Sequence, residues 1–175
     1  MARARLTPSL FDKLAADSDI GGQAVAEGMP TVSREEFRNF AIPNLERFTE
    51  ASLRATIRRD LAWLLSTLSL ESSMNLDHRP HVRASVLNYG VRDFAGRAQS
   101  RRAVLAQARE IREAILRFEP RLDPSSLRVE PTADLDDPGK IGFTIEAEIR
   151  GAANQLPVRF RTTIDTDTAA VEVAE

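Results

Sequence analysis

A single proline separates two kinds of sequence in this chain. Before it, Val104, Ala108, Ile111, Ile115 and Phe118 recur at steps of three and four, which is one apolar face of a helix. Ser100 offers an N-cap oxygen in front of that run. Pro120 lacks the amide hydrogen that another turn would need, and it pushes Glu119 toward extended geometry, so the spacing predicts a helix ending near Phe118. Upstream the apolar residues keep the helical period; downstream they alternate.

The alternation is long enough to define strands. Ile141, Phe143, Ile145, Ala147 and Ile149 alternate with Gly142, Thr144, Glu146, Glu148 and Arg150. Leu156, Val158, Phe160, Thr162 and Ile164 alternate with Pro157, Arg159, Arg161, Thr163 and Asp165. Gly151 to Gln155 reads as the hairpin loop between them and Asp165-Thr166-Asp167-Thr168 as a second turn. Leu127-Arg128-Val129 is a brief strand, and Val171 and Val173 make a short last one. Helices first and strands second predict an α+β fold, with N-terminal helices packed on one face of a small C-terminal antiparallel sheet of three to four strands. Ile141, Phe143, Ile145, Val158 and Phe160 are its expected core. The last strand is expected at an edge, where unpaired backbone groups can template pairing with another protein. Glu172 and Glu175 would equally serve to blunt such an edge.

The upstream half reads as a flexible segment over 1–30 followed by one domain over 31–175, helical to 118 and β from 123. Ser9 to Leu14 is a candidate short helix, and the glycines at 21, 22 and 28 mark a linker. Ser33-Arg34-Glu35-Glu36 is a capping box ahead of Phe37 and Phe40. Leu45, Phe48, Leu53, Ile57, Leu61, Leu64, Leu65 and Leu68 form a broad helical stripe with Arg54, Arg58 and Arg59 off it, and Trp63 adds apolar bulk. Val82 to Leu87 reads as a short helix stopped at Asn88-Tyr89-Gly90, with Gly90 as a left-handed terminator.

Several chemistries find no support. There is no cysteine, so neither a disulfide framework nor a thiolate metal site is expected. His78 and His81 flank Pro80 in one short loop and would need a further ligand to hold a metal. The opening residues show no apolar signal-peptide core, and no stretch approaches a membrane span, which makes the cytoplasm the default compartment. No phosphate loop, dinucleotide fingerprint or nucleophile elbow is present. Residues 1–122 carry 19 Lys and Arg against 15 Asp and Glu, whereas residues 123–175 carry 5 against 11. Arg97, Arg101, Arg102, Arg109, Arg112 and Arg117 would suit nucleic acid, but the acidic second half would repel phosphate. Nucleic acid is therefore not an expected partner.

A family resemblance organises these fragments. Ser9 to Leu14, Arg58-Arg59-Asp60-Leu61-Ala62-Trp63-Leu64-Leu65-Ser66-Thr67, Ser85-Val86-Leu87-Asn88-Tyr89-Gly90 and Phe118-Glu119-Pro120-Arg121-Leu122 stand in one order. They continue into Ile141 to Ala147 and Thr162 to Asp165. In that order they resemble the TssE family of type VI secretion baseplate subunits, related to the lysozyme-like wedge protein of contractile phage tails. The match spans most of residues 9–173 and departs after Gly90, where Val91-Arg92-Asp93 stands for Leu-Pro-Asp.

The resemblance implies a cytoplasmic scaffold docked near the inner membrane, with no cofactor and no direct membrane insertion. Its sheet would be similar to the interlocking strands of sheath proteins. Implied partners are the other wedge subunits (TssF, TssG and TssK) and the sheath proteins (TssB and TssC). Glu119, Pro120 and Arg121 match the family's Glu-Pro-Arg contact triplet and, with Tyr89, Val171 and Val173, are the expected partner-binding residues. Proline between two charges fixes them at little entropic cost, and Arg121 can grip a carboxylate through two parallel hydrogen bonds. A salt bridge internal to the chain is the competing use of the same charges. The family's lysozyme-like label raises glycoside hydrolysis as the alternative. That reaction needs two carboxylates at controlled separation, and none of the 26 acidic residues stands in a recognisable motif for it.

Overall fold

The computed structural model describes residues 9–11, 49–93, 100–132, 140–150, 156–165, 168 and 170–174. The capping box at Ser33, the apolar positions Leu45 and Phe48, the linker glycines, residues 12–14 and the loop from Gly151 to Gln155 lie outside them. The chain divides into two compact units, Met1–Thr56 and Ile57–Glu175. The first unit holds the helical, exposed Leu10 and Phe11 and the opening turns of helix α1 (Glu50–Ser66). There Thr49 caps the helix by accepting from the Ser52 amide at 3.2 Å, and Leu53 and Thr56 are buried.

The rest of α1 opens the second unit. Ile57, Leu61, Leu64 and Leu65 are buried as their spacing predicts. Trp63 is only half-buried, with the Arg59 guanidinium 4.8 Å from its ring centroid. Two hydroxyls end the helix by taking its last carbonyls: Ser66 Oγ donates to Ala62 O and Thr67 Oγ1 to Trp63 O, each at 2.6 Å. Leu68 therefore falls outside α1. It was expected on the buried stripe, yet it is 57% exposed, in an isolated parallel bridge with Val91.

Residues 69–91 are held by side chains more than by regular elements. A 3₁₀ turn (Leu70–Ser72) and a single helical turn, α2 (Pro80–Arg83), precede a second 3₁₀ turn (Val86–Asn88). The expected helix from Val82 to Leu87 is thus split, because Ser85 restarts the chain by accepting from the Leu87 amide at 3.2 Å. Asn88 is buried and spans the gap, its Oδ1 accepting from Glu71 N at 2.9 Å and its Nδ2 donating to Arg83 O at 3.1 Å. Gly90 does take a positive φ, 116°, but its work is a close approach rather than a helix stop. A Cβ there would lie 2.3 Å from the Thr67 carbonyl oxygen.

Helix α3 (Arg101–Phe118) begins where Ser100 Oγ accepts from Ala103 N at 3.2 Å and buries Gln107, Ala108, Ile111, Ala114 and Ile115. Four strands follow: β1 (Arg128–Thr132), β2 (Lys140–Ile149), β3 (Leu156–Asp165) and β4 (Val171–Ala174). They pair antiparallel in the order β1-β2-β3-β4, which makes the fold α+β. α3 packs against β1, and Arg112 from α3 donates to the Leu127 carbonyl at 3.1 Å just before that strand.

Register places the apolar positions on one face. Phe143 stands opposite Thr162, Ile145 opposite Phe160, and Ala147 opposite Val158, all buried. Phe143 and Phe160 are sealed from solvent, and burying each contributes roughly 1.5–3 kcal/mol. Val171 and Val173 pair with Ile164 and Thr162, so they extend this face at the outer edge, half-buried. The opposite face is polar, with Glu146 between Arg128 and Arg159 across three strands. Arg159 Nε donates to Glu146 Oε1 at 2.7 Å.

A candidate partner-binding corner

The corner forms because Pro120 ends α3 and turns the chain onto the sheet. Glu119 closes the helix with its amide on the Ile115 carbonyl at 2.8 Å. One residue past the proline, the Arg121 carbonyl accepts from Arg150 N at 2.7 Å, and Asp123 N donates to Glu148 O at 2.8 Å. Leu122 bridges to Ile149. The triplet is thereby fastened to the end of β2, and its backbone has little freedom left.

The side chains close on each other. Arg121 Nε donates to Glu119 Oε1 at 2.6 Å while Nη2 reaches Glu119 Oε2, a two-pronged grip within the triplet. Nη2 also reaches Asp60 Oδ2 of α1 at 2.5 Å. Asp60 in turn accepts from Arg59 Nε at 2.9 Å. Glu119 is 4% exposed, whereas the Arg121 side chain keeps a quarter of its surface in solvent. Burial alone would loosen the Arg121 proton. The hydrogen bonds and charges of Glu119 and Asp60 outweigh that and raise its pKa further above the ordinary arginine value.

Tyr89 joins from the loop that Asn88 and Gly90 hold in place. Its ring meets Phe118 edge-on with centroids 5.1 Å apart. Burial, and then the charges of Asp60 and Glu119, push its phenol above its usual pKa. The sequence-predicted residues Glu119, Pro120, Arg121 and Tyr89 are therefore one cluster. Asp60 and Arg59 belong to it too and were not singled out from the sequence, since a charged pair on the polar side of a helix looks like ordinary solvated surface.

Val171 and Val173 lie elsewhere. They pair with the Ile141-proximal end of the β2–β3 hairpin, while the corner is fastened at Ile149. Eight residues of strand separate those ends, roughly 26 Å at ~3.3 Å per residue. The two sets of expected contact residues thus occupy opposite ends of one rigid ladder.

The chemistry of the corner is that of a fixed charged surface. Both its carboxylates are occupied as acceptors for Arg121. No group of three or more His, Asp and Glu among the described residues could hold a metal ion. No described helix is long and apolar enough to cross a membrane. The family model for baseplate wedge protein gp25 matches residues 51–154, more than half of the chain, from α1 through β2; β3 and β4 lie beyond the matched span. No curated protein matches it.

Proposed function

The chain belongs to the baseplate wedge protein gp25 family, a structural baseplate family of phage-tail-like machines, and on that premise we propose that it joins wedge subunits and templates sheath assembly in a type VI secretion apparatus. In this reading the corner of Glu119, Pro120, Arg121 and Tyr89 faces a neighbouring wedge subunit. The open backbone of β4, with Val171 and Val173 behind it, receives a strand from the first sheath ring. The protein works in the cytoplasm as a scaffold, and its contacts are protein contacts.

The observation that carries this reading is the placement of the two surfaces. Both are built on β2–β3, at opposite ends, and each is fixed by backbone pairing rather than by loose side chains. A connector needs two such directional surfaces that do not shift against each other. The two edges of the sheet also differ. β1 packs against α3 and contains Pro131, which has no amide to donate, whereas β4 contains no proline.

Two variants of the full chain test the proposal in cells that assemble the apparatus. Arg121→Lys keeps a cation beside Glu119 but loses the two-pronged geometry, and it is expected to abolish co-purification with wedge subunits and therefore sheath formation. Removal of residues 169–175 is expected to leave wedge co-purification intact and to abolish sheath formation. Loss of both readouts, or of neither, on removing 169–175 would defeat the division of labour between the two surfaces.

A further inference from the structure

The solvent side of α3 carries charge that the fold does not account for. Every fourth residue along it, Arg101, Leu105, Arg109, Glu113 and Arg117, is exposed, with Arg102 beside the row. Residues four apart on a helix are neighbours and such a row winds slowly round the axis, so its three arginines and Arg102 lie across the solvent half of α3 against one glutamate in the row. The first turn contains no acidic residue and instead presents Arg101 and Arg102 at the end where the helix dipole disfavours cations. No ion pair holds Arg101, Arg102 or Arg109 among the described residues. The opposite face of α3, with Ile111 and Ile115 sealed, already secures the helix to the core without them.

At its far end the row meets an apolar tip. Arg117 Nη1 donates to the Arg83 carbonyl at 2.9 Å, which joins the end of α3 to α2 and to the turn that follows it. On that turn Val86 and Leu87 are 79% and 69% exposed. They are not loose, because the neighbouring Asn88 is bonded to Glu71 and Arg83. The result is a basic band that winds along the solvent half of α3, with Leu105 within it and two fixed apolar knobs at one end. The helix under it has 18 residues, about 27 Å at ~1.5 Å per residue.

We propose that this face docks an acidic amphipathic helix of a neighbouring subunit. Its carboxylates would pair with Arg101, Arg102, Arg109 and Arg117, and its apolar residues would cover Leu105, Val86 and Leu87. Arginine forks suit carboxylates at fixed spacing, and an inclined i, i+4 row of this length suits a helix that crosses α3 along it. Nucleic acid fits less well, because the row carries no aromatic side chain on which a base could stack. A membrane surface fits less well because the apolar face of α3 is turned inward. The inference goes beyond the corner and the β4 edge and uses none of their residues, though it takes the baseplate setting as given.

The test is a photo-cross-linking amino acid in place of Leu105 in the full chain, in cells that assemble the apparatus. The expected result is one protein adduct whose cross-linked segment has an excess of Asp and Glu with apolar residues at helical spacing. Its yield should fall roughly tenfold in Arg102→Glu with Arg109→Glu. Should that pair fail to fold, Arg102→Gln with Arg109→Gln removes the charge with little change in helix propensity and is expected to move the yield the same way. Co-purification of wedge subunits through the Arg121 corner, followed in the same extracts, should persist while the cross-link is lost, which separates failure here from failure of the reading above. An adduct to nucleic acid or lipid, a neutral or basic cross-linked segment, no adduct, or a yield indifferent to the charge changes would each overturn the proposal.

Discussion

Arg121 Nη2 lies 2.5 Å from Asp60 Oδ2 across 61 residues of chain, and the same guanidinium grips both oxygens of Glu119. This contact ties the end of α3 to α1 through charge alone, beside a carboxylate that solvent scarcely reaches. Arg121→Ala is expected to destabilise the fold by roughly 3–5 kcal/mol, because it leaves Glu119 buried without its cation. Combining it with Glu119→Gln should recover much of the loss. Urea unfolding of the single and double variants checks this, and additive losses would contradict it.

Tyr89 is the only tyrosine, so ultraviolet absorbance of tyrosinate reports one group. Burial and the nearby Asp60 and Glu119 charges disfavour the phenolate, so the folded protein should titrate above the value of 10.0 expected for a free tyrosine. A folded pKa raised above the unfolded one contributes stability that is complete below the unfolded value and is lost as pH rises through the folded value. Stability should therefore fall as pH rises past about 10. Tyr89→Phe should lack that component of the alkaline decline.

Gly90→Ala is expected to be severe for a residue with so little side chain. The φ of 116° is strained for alanine, and the new methyl would sit 2.3 Å from a backbone oxygen that cannot move away without breaking the Val91–Thr67 hydrogen bond. A cost of about 3 kcal/mol is expected from strain and crowding together. A melting temperature within a degree or two of the parent would contradict this account of the glycine.

Phe143→Ala should cost about 3–5 kcal/mol, since the ring is fully buried beside Thr162 in the middle of the sheet. The exposed Arg161, one residue earlier on β3 and on the other face, should tolerate alanine within about 0.5 kcal/mol. Denaturant midpoints of the two variants check the assignment of faces.

Legibility followed the source of each constraint. α3, β2 and β3 could be read because their period, caps and terminating proline act locally, and Ser100 and Pro120 stand where the helix begins and ends. Residues 66–91 could not, because their path is decided by the distant pairs Asn88 with Glu71 and Gly90 with Thr67. A local period therefore suggested a helix through Val86 and Leu87 where the chain instead turns twice and exposes both. At the corner, the Glu119–Arg121 grip follows from the triplet itself, but Asp60 gave no signal because its partner lies far along the chain. Gln107 is the reverse case. Polar, and drawing no reading from the sequence, it is buried beside the apolar stripe of α3, and both its amide atoms lack a hydrogen-bond partner among the described residues.

The unequal borders of the sheet have a consequence for assembly. With a proline in the strand at one margin and a proline-free strand at the other, backbone addition is favoured at the β4 side. A polymer nucleated on such a subunit would inherit a head and a tail from its first member, so the direction of growth would be written into the seed before the second piece arrives.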